Sequence, residues 1–293
     1  MKIKDILESG RPTLSFEVFP PKAGSDIAPI LEAVRDISEI RPDFMSVTYG
    51  AGGGTSDATA GIASFLQNKC HTTALAHLSC VSASKNKISS VANDLKRFGV
   101  ENILALRGDI PDGVTFPDAQ SPYRFAYQLI ADIREMHGDD FCIGAACYPE
   151  GHVECESKEQ DIIYLKNKVD AGCDFLTTQM FFDNAVLYSF LYRILKKGIN
   201  VPVIAGIMPV TNGKQIERIC RLSGTSLPSR FRMIVDKFGG DPASMKQAGI
   251  AYATEQIIDL IANGVRGIHV YTMNKPDIAK SIESNLKHIM GRV

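Results

Sequence analysis

The chain has 293 residues, of which 45% are hydrophobic and 22% charged, and its formal net charge is -1. Dispersed charge of both signs gives no footprint for nucleic acid or an anionic membrane, and no run approaches the roughly 18 apolar residues of a membrane span. The start, MKIKDILESG, mixes acids with its apolar residues and does not read as a targeting segment. Seven cysteines without framework spacing read as reduced thiols, so a cytoplasmic protein is expected.

In chain order, Ile3, Ile6 and Leu7 form one apolar stripe, which predicts a short opening helix. LSFEVFPP (14–21) is the first predicted strand, followed by helical spacing at Ile27, Ile30, Leu31, Val34 and Ile37. FMSVTYG (44–50) is the second, with a helix from Ala58 to Asn68. TTALAHLSC (72–80) is the third, with a helix on Ile88, Val91, Leu95 and Phe98 that Gly99 ends. ENILALRGD (101–109) is the fourth, and Pro122 to Met136 its helix, with proline near the start and Gly138 past the end. FCIGAACYPE (141–150) precedes a helix from Lys158 to Ala171, and DFLTTQMFF (174–182) one from Asn184 to Lys197. VPVIAGIMP (201–209) is apolar on both faces, as in a parallel strand with helices outside and core inside. The interval 210–266 carries three helical segments, Lys214–Leu222, Pro228–Phe238 and Pro242–Ala262, where one crossover suffices. The extra helices between strands seven and eight are expected over or beside the top. GIHVYTMN (267–274) and a helix from Pro276 to Leu286 close the series.

Eight strands alternating with helices predict an α/β fold, a (β/α)₈ TIM barrel, with residues 1–293 as one catalytic domain and the chemistry at the strand C-termini. An open doubly wound sheet is the rival, but no G-x-G-x-x-G or Walker A sequence follows any strand. Gly52-Gly53-Gly54 fits neither pattern and reads equally as a flexible turn or a close approach to ligand.

The run ends hold the candidate site. Glu17, between Phe16 and Val18, is costly in a central strand unless it faces a polar cavity or a partner, so it reads as a proton donor or base, or as a structural ion pair. His77 is either a satisfied core residue or a neutral ligand donor. Arg107-Gly108-Asp109 combines an anion-pairing fork, a close backbone approach and a negative charge over the mouth. Gln179 pairs a donor and an acceptor on one amide, suited to a heterocycle. Tyr148 and Glu150 end the fifth run. His269, Tyr271 and Asn274 lie on or after the eighth and are open between packing and ligand contact. Asp161, Asn167 and Lys168 look like a solvated helix face, while Phe181, Phe182 and Phe190 look like packing. No lysine lies in a strand for Schiff-base chemistry, no H-E-x-x-H or C-x-x-C suggests a metal, and no G-x-S-x-G elbow is present.

The series SFEVFPP (15–21), VTYGAGG (47–53), HLSC (77–80), ALRGD (105–109), AACYPE (145–150), LKNKVDAG (165–172), TTQMFFD (177–183), GIMPVTN (206–212) and HVYTMN (269–274) resembles methylenetetrahydrofolate reductase, in its short bacterial form. The resemblance implies an FAD-containing barrel that reduces 5,10-methylenetetrahydrofolate to 5-methyltetrahydrofolate with NAD(P)H by ping-pong hydride transfer, as a homo-oligomer. It implies flavin contacts at Thr48, His77, Arg107, Gly108, Asp109, Phe125, Ala126, Tyr148, Asp161, Asn167, Lys168 and Thr177. Glu17 matches the acid that opens the methylene bridge to a 5-iminium ion, Asp109 the charge that tunes flavin and iminium, and Gln179 the pterin contact. Departures are Gly213 in place of an aromatic residue, Lys275 in place of an arginine near the folate tail, Phe125 in place of tyrosine and Asn167 in place of arginine. Some relatives draw electrons from a partner subunit, and the sequence permits that. A scaffold without activity is the non-enzyme alternative.

Overall fold

The computed structural model describes residues 1–22, 24–49, 56–110 and 121–291; Gly52-Gly53-Gly54 lies outside them. Eight parallel strands close on themselves in chain order. They are β1 (Thr13–Val18), β2 (Phe44–Val47), β3 (Ala74–Ser79), β4 (Asn102–Leu106), β5 (Cys142–Cys147), β6 (Phe175–Thr178), β7 (Val203–Ile207) and β8 (Gly267–Tyr271). The helices are α1 (Ile3–Glu8), α2 (Ala28–Ser38), α3 (Ser56–Asn68), α4 (Lys85–Arg97), α5 (Ala126–His137), α6 (Lys158–Asp170), α7 (Asn184–Lys196), α8 (Ile216–Ser223), α9 (Ser229–Phe238), α10 (Pro242–Ala262) and α11 (Pro276–Leu286). This is the (β/α)₈ TIM barrel that the alternation predicts.

The two-residue period of each strand separates two environments. Leu14, Phe16 and Val18 of β1, with Met45, Val47, Ile103 and Ile268, pack into the large core that also holds helix residues such as Val34, Leu66, Ile130 and Ile257. The alternate positions form a different cluster. Phe44, Leu75, Leu104, Cys142, Phe175 and Ile204 pack with Ile3, Ile6 and Leu7 of α1, so the opening helix floors the barrel. Asn102 fastens that floor: its Oδ1 accepts from Ile3 N at 2.8 Å and its Nδ2 donates to Ala74 O at 3.1 Å.

Local signals explain most helix limits. Ser84, Ser157, Asp183 and Asp241 each accept a backbone N–H at a helix start. Gly99 and Gly172 adopt φ of 74° and 105° just past helix ends, where a side chain would be strained. One start differs most from the sequence reading. The helix expected from Pro122 begins at Ala126. Gln128 reaches back to accept from the N–H of Arg124 and Phe125 at 2.7 and 3.0 Å, and buried Tyr123 is held by its hydroxyl on Asp132 at 2.8 Å. These contacts keep the preceding residues out of the helix.

The helices between β7 and β8 lie where the strand ends predict. Met180 and Phe182 after β6 and Val210 after β7 share a satellite core with Ile216 of α8, Phe231 of α9 and Met245 of α10. Gly249 of α10 has no room for a side chain, because a Cβ there would lie 1.8 Å from Val210 O. α8 and α9 therefore stand beside the C-terminal mouth.

Candidate active site

Above the apolar floor the barrel interior turns polar. Glu17 pairs in register with Ser46 of β2 and Tyr271 of β8. Its Oε2 lies 3.5 Å from Ser46 Oγ, 3.6 Å from His77 Nε2 and 3.8 Å from His269 Nε2. Ser15 and Ser46 hydrogen-bond the two His269 ring nitrogens at 2.8 and 3.1 Å. Thus three strand positions that looked separate in the chain form one buried polar layer with a single carboxylate.

Burial sets the charge in this layer. His77 is driven down to about 4, chiefly by desolvation, against the opposing pull of Glu17. The ring is therefore neutral near pH 7 and sits inside the barrel, below the rim. His77 Nε2 has no hydrogen-bond partner, and neither has Thr177 Oγ1, an inward-facing hydroxyl of β6. Tyr271 is also raised well above its ordinary value, again chiefly by burial, and its hydroxyl donates to Thr178 O at 2.6 Å. That bond fixes the peptide leading to Gln179, whose own N–H donates to Cys147 O at 2.7 Å. Gln179 Oε1 accepts from Met180 N at 3.0 Å, so part of its amide is committed locally.

A cavity of about 470 Å³ opens between the ends of β4 and β5 and the starts of α5 and α6. Six of the expected flavin-contact residues line it: Arg107, Phe125, Ala126, Tyr148, Asp161 and Lys168. Lys168 is half-buried, donates to Ala146 O at 2.8 Å and lies 5.7 Å above the Tyr148 ring. Burial lowers its pKa and raises that of Asp161, while the attraction between the two opposes both shifts. Phe125 stacks on Tyr164 of α6 at 4.8 Å, giving the cavity an aromatic wall. Arg107 meets the carboxylate of Glu154 through both terminal nitrogens, at 2.5 and 3.0 Å.

The other six expected contacts lie elsewhere around the mouth. Thr48 follows β2 and its carbonyl accepts from Thr59 at 2.9 Å. His77 and Thr177 face the barrel interior. Gly108 has φ 88°, and a Cβ there would meet Ser79 Oγ at 2.0 Å, so this turn requires glycine. Asp109 is exposed beyond β4, yet its charge is felt at Arg107 and Tyr148. Asn167 is half-buried on α6, next to Lys168. Lys275 is exposed and donates to Thr211 Oγ1 at 3.1 Å, joining the loops after β7 and β8. Asn274 is a strut: its amide both accepts from Phe19 N and donates to Phe19 O at 2.9 Å. Gly213 packs so tightly that a Cβ would lie 2.7 Å from Gly239 Cα.

Several cavity residues escaped the strand-end rule. Arg124, His152, Glu154 and Tyr164 line the cavity from loops and helices. Only the spatial approach of α5 to α6 exposes them, and no local pattern marks them. Among the described residues there is no cluster of three or more potential metal ligands and no helix long and apolar enough to cross a membrane. All seven cysteines are free.

Residues 2–287 match the family model described as methylenetetrahydrofolate reductase. Methylenetetrahydrofolate reductase (NADH) 1 of Arabidopsis thaliana is 35% identical over 295 residues, covering 97% of this chain and 50% of the plant protein. The 5,10-methylenetetrahydrofolate reductase of Escherichia coli (strain K12) is 33% identical over 273 residues, covering 93% of this chain and 90% of the bacterial one. The chain thus spans about half the length of the plant relatives. Among solved structures, an uncharacterized protein from Clostridium thermocellum that binds two copies of 5-methyl-5,6,7,8-tetrahydrofolic acid superposes with a TM-score of 0.64 at 14% identity, over 99% of both chains. A 2,3-dimethylmalate lyase gives 0.52 at 12% identity, over 99% of this chain and 85% of its own. At those identities the two structures share the fold alone.

Proposed function

The chain belongs to the methylenetetrahydrofolate reductase family, and from that premise we propose that it reduces 5,10-methylenetetrahydrofolate to 5-methyltetrahydrofolate as an FAD-dependent enzyme. The observation that carries this reading is Glu17, a carboxylate set in a buried polar layer at the C-terminal end of the barrel. The cofactor part is supported by two inward-facing atoms that lack partners, His77 Nε2 and Thr177 Oγ1, and by the cavity with its aromatic and cationic walls. Arg107, Phe125, Ala126, Tyr148, Asp161 and Lys168 would hold FAD from the cavity. Thr48, His77, Gly108, Asp109, Asn167 and Thr177 would hold it from the mouth.

FAD, when bound, supplies the two-electron relay between a reduced nicotinamide nucleotide and the folate. The chain's own residues do the rest. Glu17 gives a proton to the nitrogen that leaves the methylene bridge, which leaves a cationic iminium at the other nitrogen. Neutral His77 beside it provides a dipole and no full charge, so Glu17 is not locked in an ion pair with an imidazolium. Asp109 places negative charge at the mouth, near the developing cation. Gln179 orients the pterin with its amide, and Lys275 attracts the glutamate tail as a point charge. Alternate occupancy of one mouth by nucleotide and folate gives ping-pong kinetics.

A second reading concerns the electron source. Gly213 abuts Gly239, which leaves no space for an aromatic side chain at that position. Electron delivery by a partner protein is therefore the alternative to direct use of NAD(P)H. Anaerobic mixing of the purified yellow protein with NADH and then NADPH separates the two. Rapid bleaching, followed by reoxidation with methylenetetrahydrofolate, supports direct use. Absence of bleaching with both nucleotides removes it. Protein that binds no flavin ends the cofactor reading.

A further inference from the structure

We infer that Glu154 is a positioning residue of this site: it fixes the Arg107 guanidinium, and through it segment 149–157, as one wall of the cavity. The inference rests on the cofactor reading above and extends it to a residue that the resemblance does not include.

Segment 149–157 is anchored at its start. Ser226 donates to the Glu150 carboxylate from both N and Oγ, at 2.9 and 2.6 Å, and Arg193 donates to Pro149 O at 3.1 Å. It is anchored at its finish by Ser157, which caps α6. Between these points the segment supplies His152, Glu154, Cys155 and Glu156 to the cavity wall. Glu154 is the residue of this stretch that reaches across to the end of β4. Its carboxylate takes both terminal nitrogens of Arg107, whose Nε donates to Gly108 O at 3.2 Å. The backbone beneath it is set by its own N–H, which donates to His152 Nδ1 at 3.1 Å.

The geometry matters more than the charge. Arg124 and Lys168 line the same cavity, so attraction for an anionic cofactor does not depend on Arg107 alone. A free arginine side chain loses rotamer freedom when a ligand fixes it, and a planar fork held on both sides has surrendered that freedom before ligand arrives. The two pKa directions agree with a closed pair. Burial pulls Arg107 down, but its bond and attraction to Glu154, with Tyr148 and Asp109, leave it raised, and Glu154 is lowered chiefly by its bond to Arg107. Loss of the carboxylate would remove the two-point hold that joins the guanidinium to the wall.

The test compares apoprotein of the native chain with Glu154→Gln and Glu154→Asp. Amide hydrogen exchange over 151–156 and the FAD dissociation constant, at low and high salt, are the readouts. In Glu154→Gln, exchange should quicken about tenfold and FAD should bind about tenfold more weakly, the more so at high salt, where the positive charge that the cavity gains is screened. Glu154→Asp should recover part of each. Unchanged exchange, or FAD binding as tight as in the native chain, overturns the inference; tighter binding would make Glu154 a competitor for the cofactor. Native protein that binds no FAD overturns the cofactor reading instead, and the exchange data then decide the role of Glu154.

Discussion

The two ends of the barrel use the same strands for opposite purposes. At the N-terminal end, inward positions carry Phe44, Leu75, Leu104, Phe175 and Ile204, sealed by α1. One inward position further along, β2, β3 and β6 carry Ser46, His77 and Thr177, β1 adds Glu17 beside them, and His77 Nε2 and Thr177 Oγ1 have no partner. A strand thus passes from a satisfied apolar layer to an unsatisfied polar one within about two side chains. The contrast separates stability from function by height in the barrel.

Four measurements can break or sharpen that division. The largest effect is expected from Glu17→Gln, which should cut folate turnover by about 10²–10⁴-fold, as for loss of a general acid, while flavin stays bound and reducible. Near-native turnover in that variant would remove Glu17 as the acid. At the floor, Phe175→Ala should cost about 3–5 kcal/mol in urea unfolding yet leave the FAD dissociation constant alone. A large change in flavin affinity there would show that the two ends are coupled.

The third measurement titrates the polar layer. His77 is held at about 4 against an ordinary 6.5, so the unfolded chain takes up this proton first as pH falls. Its neutral burial therefore costs nothing above pH 6.5 and destabilises the fold progressively from there down to about 4, by roughly 3 kcal/mol in all. His77→Gln should flatten the acid limb of apoprotein stability in that window; an identical limb in both proteins would contradict the burial argument. The smallest effect is expected from Gln179→Ala. It should weaken the folate half-reaction about tenfold, the value of one or two hydrogen bonds, with flavin retention intact. Equal folate kinetics would place Gln179 outside the site.

The barrel was legible because each strand is a short apolar run with a change of character at its end. Glu17 was legible for the same reason, since a carboxylate between Phe16 and Val18 demands an explanation. Lys168 was not: on α6 it reads as one more solvated lysine, and its burial depends on how α6 lies over β5. Resemblance found it where pattern could not. Glu154 escaped both, because a glutamate in a loop looks like any surface charge until Arg107 is seen across from it. The start of α5 was misread because Pro122 suits a first helical turn, whereas a side chain six residues later, Gln128, sets where the helix begins. Phe125 and Ala126 at that start are cavity residues, so the shift bears on the site as well as on the fold.

The seat of α1 has a bearing on how the molecule is made. Ile3, Ile6 and Leu7 rest on residues from β2 through Ile204 of β7, and Asn102 fastens Ile3 from the middle of the chain. This small greasy helix has little to cover it until most of the strands have been delivered. During synthesis it is an exposed sticky segment that waits for its socket, and closing that long-range contact is a slow step by nature. Variants that weaken Asn102 should therefore show their harm as aggregation during expression, before any loss is seen in the finished fold.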